Sequence, residues 1–293
     1  MRRWFLKGTE RRAQHLGLYL LVALAFAQPV QAQTREGVQV GETSVFTKIV
    51  PADQVERSAA LQYQQTLAQA SKQHALGPAD HPQVQRLRAI MDKIIPFTGQ
   101  WNPRAQQWKW EVNLIGSNQI NAYCMPGGKI AFYTGILNKL QLTDDEVAMV
   151  MGHEVAHALR EHARERMGKG QATEMAARLG GSLLSSLLGI DPRLGDAVAQ
   201  TGANLATLKF GREDESEADL VGMELAARAG YDPRAGVSLW QKMAANNKGA
   251  PPEWLSTHPS GNTRIAEIEA NLPKVMPLYE RAKKSPGNEA TNQ

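Results

Sequence analysis

The chain has 293 residues, 33 of them Lys or Arg and 29 Asp or Glu, and Cys124 is its single cysteine; no intrachain disulfide can form, so burial must hold the core together. Residues 1–32 carry five of the bases and one acid, and the remainder holds 28 of each, without the positive footprint of a nucleic-acid binder. About 240 residues with ordered patterning suffice for one domain with a sizeable core.

The first segment reads as an export signal. Arg2, Arg3, Lys7, Arg11 and Arg12 precede the apolar stretch Leu16 to Ala27, and Val30-Gln31-Ala32 offers small residues for cleavage before Gln33. That run is short for a bilayer span, so a retained membrane anchor is the second reading and no transmembrane anchor is expected once residues 1–32 are removed. Arg2-Arg3-Trp4-Phe5-Leu6-Lys7 resembles a twin-arginine signal, which would carry the protein across already folded. Arg11-Arg12 lengthens the basic region as in a Sec signal, the favoured route of the two.

Residues 33–50 read as extended. Pro51 to Leu76 has helical apolar spacing through Val55, Ala59, Leu61 and Leu67 and ends at Gly77-Pro78. A second helix is expected over Pro82 to Ile95 and a half-buried strand over Trp108 to Leu114. Pro126-Gly127-Gly128 reads as a tight turn into a strand over Lys129 to Tyr133, giving a small sheet with the segment around Asn121. Thr143 and Glu146 form a capping box that starts a mostly apolar helix.

That helix carries His153-Glu154-Val155-Ala156-His157. Residues four apart share one helical face about 6 Å apart along the axis, so His153 and His157 can aim at one zinc ion, one per chain, while Glu154 polarises a water. The implied chemistry is metal-assisted peptide hydrolysis. The glycine and third histidine of a metzincin would fall where Arg160 and Ala163 stand, which closes that route. Nine residues after His153 the helix has turned about half a revolution too far, so His162 falls on the opposite face and is expected in solvent. A carboxylate from a second helix is therefore the expected third ligand.

The run Gly211-Arg212-Glu213-Asp214-Glu215-Ser216-Glu217-Ala218-Asp219 offers three glutamates. Only Glu215 has an aspartate four residues on, and zinc-bound histidines normally donate their other N–H to such a carboxylate, so Glu215 is the expected ligand and Asp219 the orienter. Glu213 and Glu217 are turned away and are expected to be solvated charges. With three ligands in hand, Cys124 is not expected to bind the metal. Between the ligand helices, Gly180 to Ile190 is apolar but too short for a membrane span; it reads as a flap, a packed helix or an envelope contact. Ser285 to Gln293 reads as a polar, disordered tail.

With these motifs the sequence resembles the gluzincin peptidases that include HtpX, the CaaX prenyl protease and the mitochondrial Oma protease, and within them the periplasmic BepA and LoiP type without a helical-repeat domain. The resemblance rests on Asn121 to Gly128, His153 to His157, Arg212 to Asp219, and His258-Pro259 with Arg264, and covers roughly residues 80–272. It implies an α+β fold, a mainly helical zincin with a small β-sheet beside the active-site helix. The corresponding division is an export signal over 1–32, an N-terminal segment and helix over 33–79, a peptidase domain over 80–272 and a partly disordered tail over 273–293.

The resemblance further implies that Asn121, Ala122 and Tyr123 lie on an edge strand to which an extended substrate adds. It makes His258 and Arg264 catalytic as donors to the oxyanion, or His258 a group that approaches the zinc and holds the enzyme shut. The implied function is a periplasmic zinc endopeptidase acting on misfolded or unassembled envelope proteins, with outer-membrane or envelope-assembly partners. The competing expectation is a chaperone-like protein that holds clients on its edge strand and cleaves them rarely.

Overall fold

The computed structural model describes residues 35–178, 204–246, 253–258 and 263–284. The expected export signal, the apolar segment Gly180 to Ile190 and the tail after residue 284 lie outside them. Every element described belongs to one compact unit, Gly37–Gln293.

Within the stretch expected to be extended, Val45–Ile49 forms a 3-10 turn whose Ser44 side chain accepts from Phe46 N. Helix α1, Ala52–Lys72, buries Val55, Ala59, Tyr63 and Ala70 on one stripe. Tyr63 donates its hydroxyl to the Ile130 carbonyl, tying that stripe to the sheet. Helix α2, Pro82–Ile94, starts with proline in its first turn and buries Val84, Leu87, Ile90, Met91 and Ile94. Proline suits that position because the first helical N–H groups have no partner within the helix.

Three strands follow: β1, Glu111–Ile115, β2, Ala122–Met125, and β3, Lys129–Tyr133. Their order is β1-β3-β2, with β3 parallel to β1 and antiparallel to β2. Asn121 and Tyr123 are turned toward β3, as the Tyr133 N–H to Asn121 carbonyl bond of 3.1 Å fixes. By antiparallel alternation, Ala122 and Cys124 direct their backbone groups to the free edge. The turn from β2 to β3 has Gly127 at φ 85° and Gly128 at φ 75°, a left-handed pair that glycine alone adopts cheaply.

Helix α3, Thr134–Leu140, leads into α4, Asp144–Leu159, which begins with the expected capping box of Thr143 and Glu146 and is buried from Glu146 to Leu159. A helix enclosed all round can carry polar groups only where they pair with one another or with a ligand. Its neighbours are β2 on one side and α6, Arg212–Arg228, on the other. Helix α5, His162–Arg178, follows α4 after a two-residue break.

Helices α7, Ala235–Ala245, and α8, Glu253–Thr257, complete the site, and α9, Thr263–Lys284, packs along α6. Helix α9 continues through Pro273 and Pro277. An interior proline costs about 3 kcal/mol. Burying Val275 and Leu278, at about 1.5–3 kcal/mol each, offsets much of that cost and keeps the last turns on the core.

Candidate active site

Two glycines set the distance between the ligand helices. A Cβ on Gly152 would lie 2.6 Å from the Gly222 carbonyl oxygen, and one on Gly222 would lie 2.5 Å from His153 N. With no side chain at either position, α4 and α6 touch backbone to backbone. That contact brings Glu215 and Asp219, at the start of α6, beside His153 and His157, near the end of α4.

The polar groups converge as a metal site requires. His153 Nε2 is 3.1 Å from His157 Nε2 and 3.5 Å from Glu215 Oε2, and His157 Nε2 is 3.6 Å from Glu215 Oε1. A tetrahedral zinc with bonds of about 2.0–2.2 Å sets its donors about 3.3 Å apart. The two imidazoles and the carboxylate therefore fit zinc. His258 Nδ1 takes the fourth corner, 3.3 Å from His153 Nε2 and 3.0 Å from Glu215 Oε1, and these four residues form a buried cluster able to hold a metal ion.

Charges around the cluster favour metal binding. Burial pushes the His157 pKa down, and His153, His162, His258 and Arg264 push it further, to well below the ordinary imidazole value, so the ring is neutral as a ligand must be. Burial alone would raise the Asp219 carboxyl. The Arg264 guanidinium and His153 outweigh it and hold Asp219 at about 2. Burial likewise opposes ionisation of Glu215, but His258, His153 and Arg264 bring its pKa below the usual carboxylate range. Both acids are anionic at neutral pH.

Asp219 Oδ1 lies 3.0 Å from His153 Nδ1, where a metal-bound histidine donates its second N–H. Arg264 bridges the two acids, donating to Asp219 at 2.6 and 2.7 Å and to Glu215 at 2.7 Å, and its guanidinium lies 3.8 Å from the Trp240 ring centroid. The fork of Arg264, for which the resemblance implies an oxyanion-donor role, is turned here toward Glu215 and Asp219.

Over these groups lie two short segments. In one, Trp254 donates Nε1–H to Glu154 Oε1 at 2.6 Å and its backbone N–H to the Ile120 carbonyl at 3.1 Å, on the outward side of the chain entering β2. Four residues on, His258 Nε2 is 3.5 Å from Glu154 Oε1; burial opposes its charge, but Glu154 and Glu215 raise its pKa. In the other, Phe210 stacks on His157 with ring centroids 4.0 Å apart and planes at 20°, and Phe210 N–H bonds the Thr257 carbonyl at 3.2 Å. Between the two segments and the β2–β3 turn runs a narrow cleft that Tyr123, Cys124, Glu154 and His157 line.

The sequence matches peptidase family M48 over residues 81–272. The chain belongs to that family. Among M48-related proteins it is similar to mitochondrial metalloendopeptidase OMA1 of Bos taurus, 34% identical over 207 residues that cover 66% of this chain and 38% of the relative. OMA1 of Arabidopsis thaliana is 39% identical over 155 residues, 53% of this chain and 30% of the relative. The beta-barrel assembly-enhancing protease of Yersinia pestis is 28% identical over 171 residues, 56% and 35% of the two chains. The chain spans less than two fifths of each of these relatives.

The structure places His153, Glu154, His157, Glu215, Asp219, His258 and Arg264 in one buried cluster, with Ala122 and Tyr123 on the strand beside it. Glu213 is exposed, as its helical position implies. His162 and Glu217 depart from expectation. His162 is buried, and Glu217 is only 20% exposed and pairs with both His162 and Arg160 at 2.8 Å. The reason is Glu161, whose φ of 59° ends α4 and turns the chain, so the continuous helix assumed for His162 does not exist. Trp254, Phe210 and Trp240 were not foreseen. Trp254 reaches Glu154 across 100 residues of chain, and Phe210 enters just ahead of α6.

Proposed function

We propose that this M48 protein is a zinc-dependent endopeptidase that cleaves unfolded or misassembled proteins of the bacterial envelope. The observation that carries the reading is the meeting of His153 Nε2, His157 Nε2 and the Glu215 carboxylate at tetrahedral spacing, with Glu154 on the same helix beside them. When bound there, zinc supplies a Lewis acid that polarises the scissile carbonyl and acidifies water. Glu154 takes the proton of the attacking water and passes it to the leaving amine. Ala122 and Cys124 offer their backbone groups to an extended substrate, as in strand addition to a sheet edge. Asp219 fixes the His153 ring, and Arg264 holds Asp219 and Glu215 against it.

An envelope location and substrate rest on the basic and apolar pattern of residues 1–32 and on the similarity to a bacterial beta-barrel assembly-enhancing protease. The similarity to mitochondrial proteins makes location a separate matter from chemistry. No helix among the described residues is long and apolar enough to cross a membrane. Partners in envelope assembly are part of the same reading.

The gated form of the activity is favoured by one observation: His258 Nδ1 stands at the fourth corner of the donor set, where water and the substrate carbonyl must enter. His258 then holds the site shut, and the chain can retain a client on its edge strand without cutting it. The test is cleavage of a reduced, unfolded protein by the zinc-loaded chain, by the chelator-stripped chain and by the stripped chain after zinc return. The expected result is activity, loss and recovery. Equal cleavage in all three states would contradict the reading.

A further inference from the structure

The two metal-directed histidines are backed differently, and only the first backing was legible in the sequence. His153 meets the Asp219 carboxylate directly, and Arg264 holds that carboxylate. His157 meets a second imidazole: its Nδ1 is 2.8 Å from His162 Nδ1, and His162 Nε2 is 2.8 Å from Glu217 Oε2. Glu217 Oε1 is in turn 2.8 Å from Arg160, which also donates to the Gly41 carbonyl.

Hydrogen counting makes this series directional. A neutral imidazole that binds metal through Nε2 carries its one proton on Nδ1. His157 Nδ1 is therefore the donor, and His162 Nδ1, 2.8 Å away, must be the acceptor. The His162 proton then resides on Nε2, pointed at the Glu217 carboxylate. One arrangement of protons satisfies every contact, and Glu217 selects it. The reverse arrangement would set two N–H groups or two lone pairs against each other in a buried site.

The backbone is bent to build the contact. Glu161 adopts φ 59°, a left-handed conformation unfavourable for a residue with a side chain, and it places His162 at the start of α5 beside His157. Such strain persists where surrounding structure fixes it and often marks a working site.

We propose that His162 is a positioning residue for the metal centre: it accepts the His157 Nδ1–H, locks that ring in the metal-binding tautomer, and is itself set by Glu217 and Arg160. The inference rests on His157 being a zinc ligand. Both histidines thus end on a carboxylate held by an arginine, His153 in one step and His157 in two.

The test compares zinc affinity, by chelator competition, in the full chain and its variants. His162→Phe keeps a ring but removes the acceptor, and affinity should fall about 10- to 100-fold, the usual loss for a group that orients a ligand. His162→Asn returns an oxygen at the place of Nδ1 and should recover most of that loss. Glu217→Ala, at a partly exposed position, should weaken zinc about threefold, less than removal of the group that touches the ligand.

Histidine ring 15N spectra of the zinc-loaded chain should show the His162 proton on Nε2. Wild-type affinity in His162→Phe, an equal loss in His162→Asn and His162→Phe, or a His162 proton on Nδ1 would overturn the proposal. A loss matched by a lower melting temperature of the metal-free variant would assign His162 to packing instead and overturn it too. Should His162→Phe not fold, wild-type affinity in Glu217→Ala has the same force. If the wild type itself binds no zinc, or His157→Ala keeps full affinity, the metal reading fails rather than this one.

Discussion

The floor and the roof of the site are built on different principles. The floor is the α4–α6 pair, where Gly152 and Gly222 bring backbones into contact and Asp219, Glu215 and Arg264 tie the ligands in a closed buried network. The roof is two short segments held by ring contacts and single hydrogen bonds, Phe210 on His157 and Trp254 with His258 on Glu154. Breaking a closed buried charge network leaves a group unpaired and is costly, about 3–5 kcal/mol, whereas a single hydrogen bond from the roof to a charged group is worth about 1.5–3 kcal/mol. The floor is accordingly the fixed part that defines the metal, and the roof is the part able to yield to substrate.

That contrast predicts where damage falls. The largest effect is expected from Glu215→Gln, which removes an anionic ligand and leaves Arg264 without one of its two acids; zinc measured in the purified protein should drop to background. Glu217→Gln should still hold one zinc, since Glu217 faces His162 and Arg160. The reverse pattern would exchange their roles. Asp219→Asn should keep all three ligands but weaken zinc about 10- to 100-fold in a chelator titration, placing it between wild type and Glu215→Gln. An affinity equal to wild type would reduce Asp219 to a structural charge.

Gly222→Ala tests the floor without touching a polar group. Its Cβ would sit 2.5 Å from the His153 backbone nitrogen, so the helices must part, at about 1–3 kcal/mol of stability. Thermal unfolding should show that loss in the metal-free protein, with weaker zinc binding besides; an unchanged melt would mean the helices separate freely. The smallest effect belongs to the roof. His258→Ala should leave zinc content intact and raise the rate of protein cleavage severalfold, because the fourth corner is vacated. A fall in rate at constant zinc would instead give His258 the oxyanion role.

What the sequence disclosed was what local helical arithmetic can reach. The capping box of Thr143 and Glu146, the face shared by His153 and His157, and the four-residue step from Glu215 to Asp219 all follow from one helix at a time. His162 escaped the same arithmetic because Glu161 turns left-handed, and neither Arg160 nor Glu161 is a residue type that announces a break. Glu217 was misplaced with it. The interior glycines at 152 and 222 were a usable signal, since glycine in a helix often has a packing reason. Nothing local could place Trp254 on Glu154, 100 residues apart in the chain. Past Pro273, Val275 and Leu278 continue the buried stripe of Ile268, a tertiary contact that overrides the local cost of the proline.

The central claim is that Glu154 performs chemistry at a zinc held by other residues, and one paired measurement reaches it: zinc content together with cleavage of an unfolded protein, for the wild type and for Glu154→Gln. The substitution preserves size and leaves His153, His157 and Glu215 in place, so both proteins should carry one zinc. Cleavage by Glu154→Gln should be lower by about a hundred- to ten-thousand-fold, the range a positioned general base supplies. Cleavage at the wild-type rate, or loss of zinc from Glu154→Gln alone, would contradict the account.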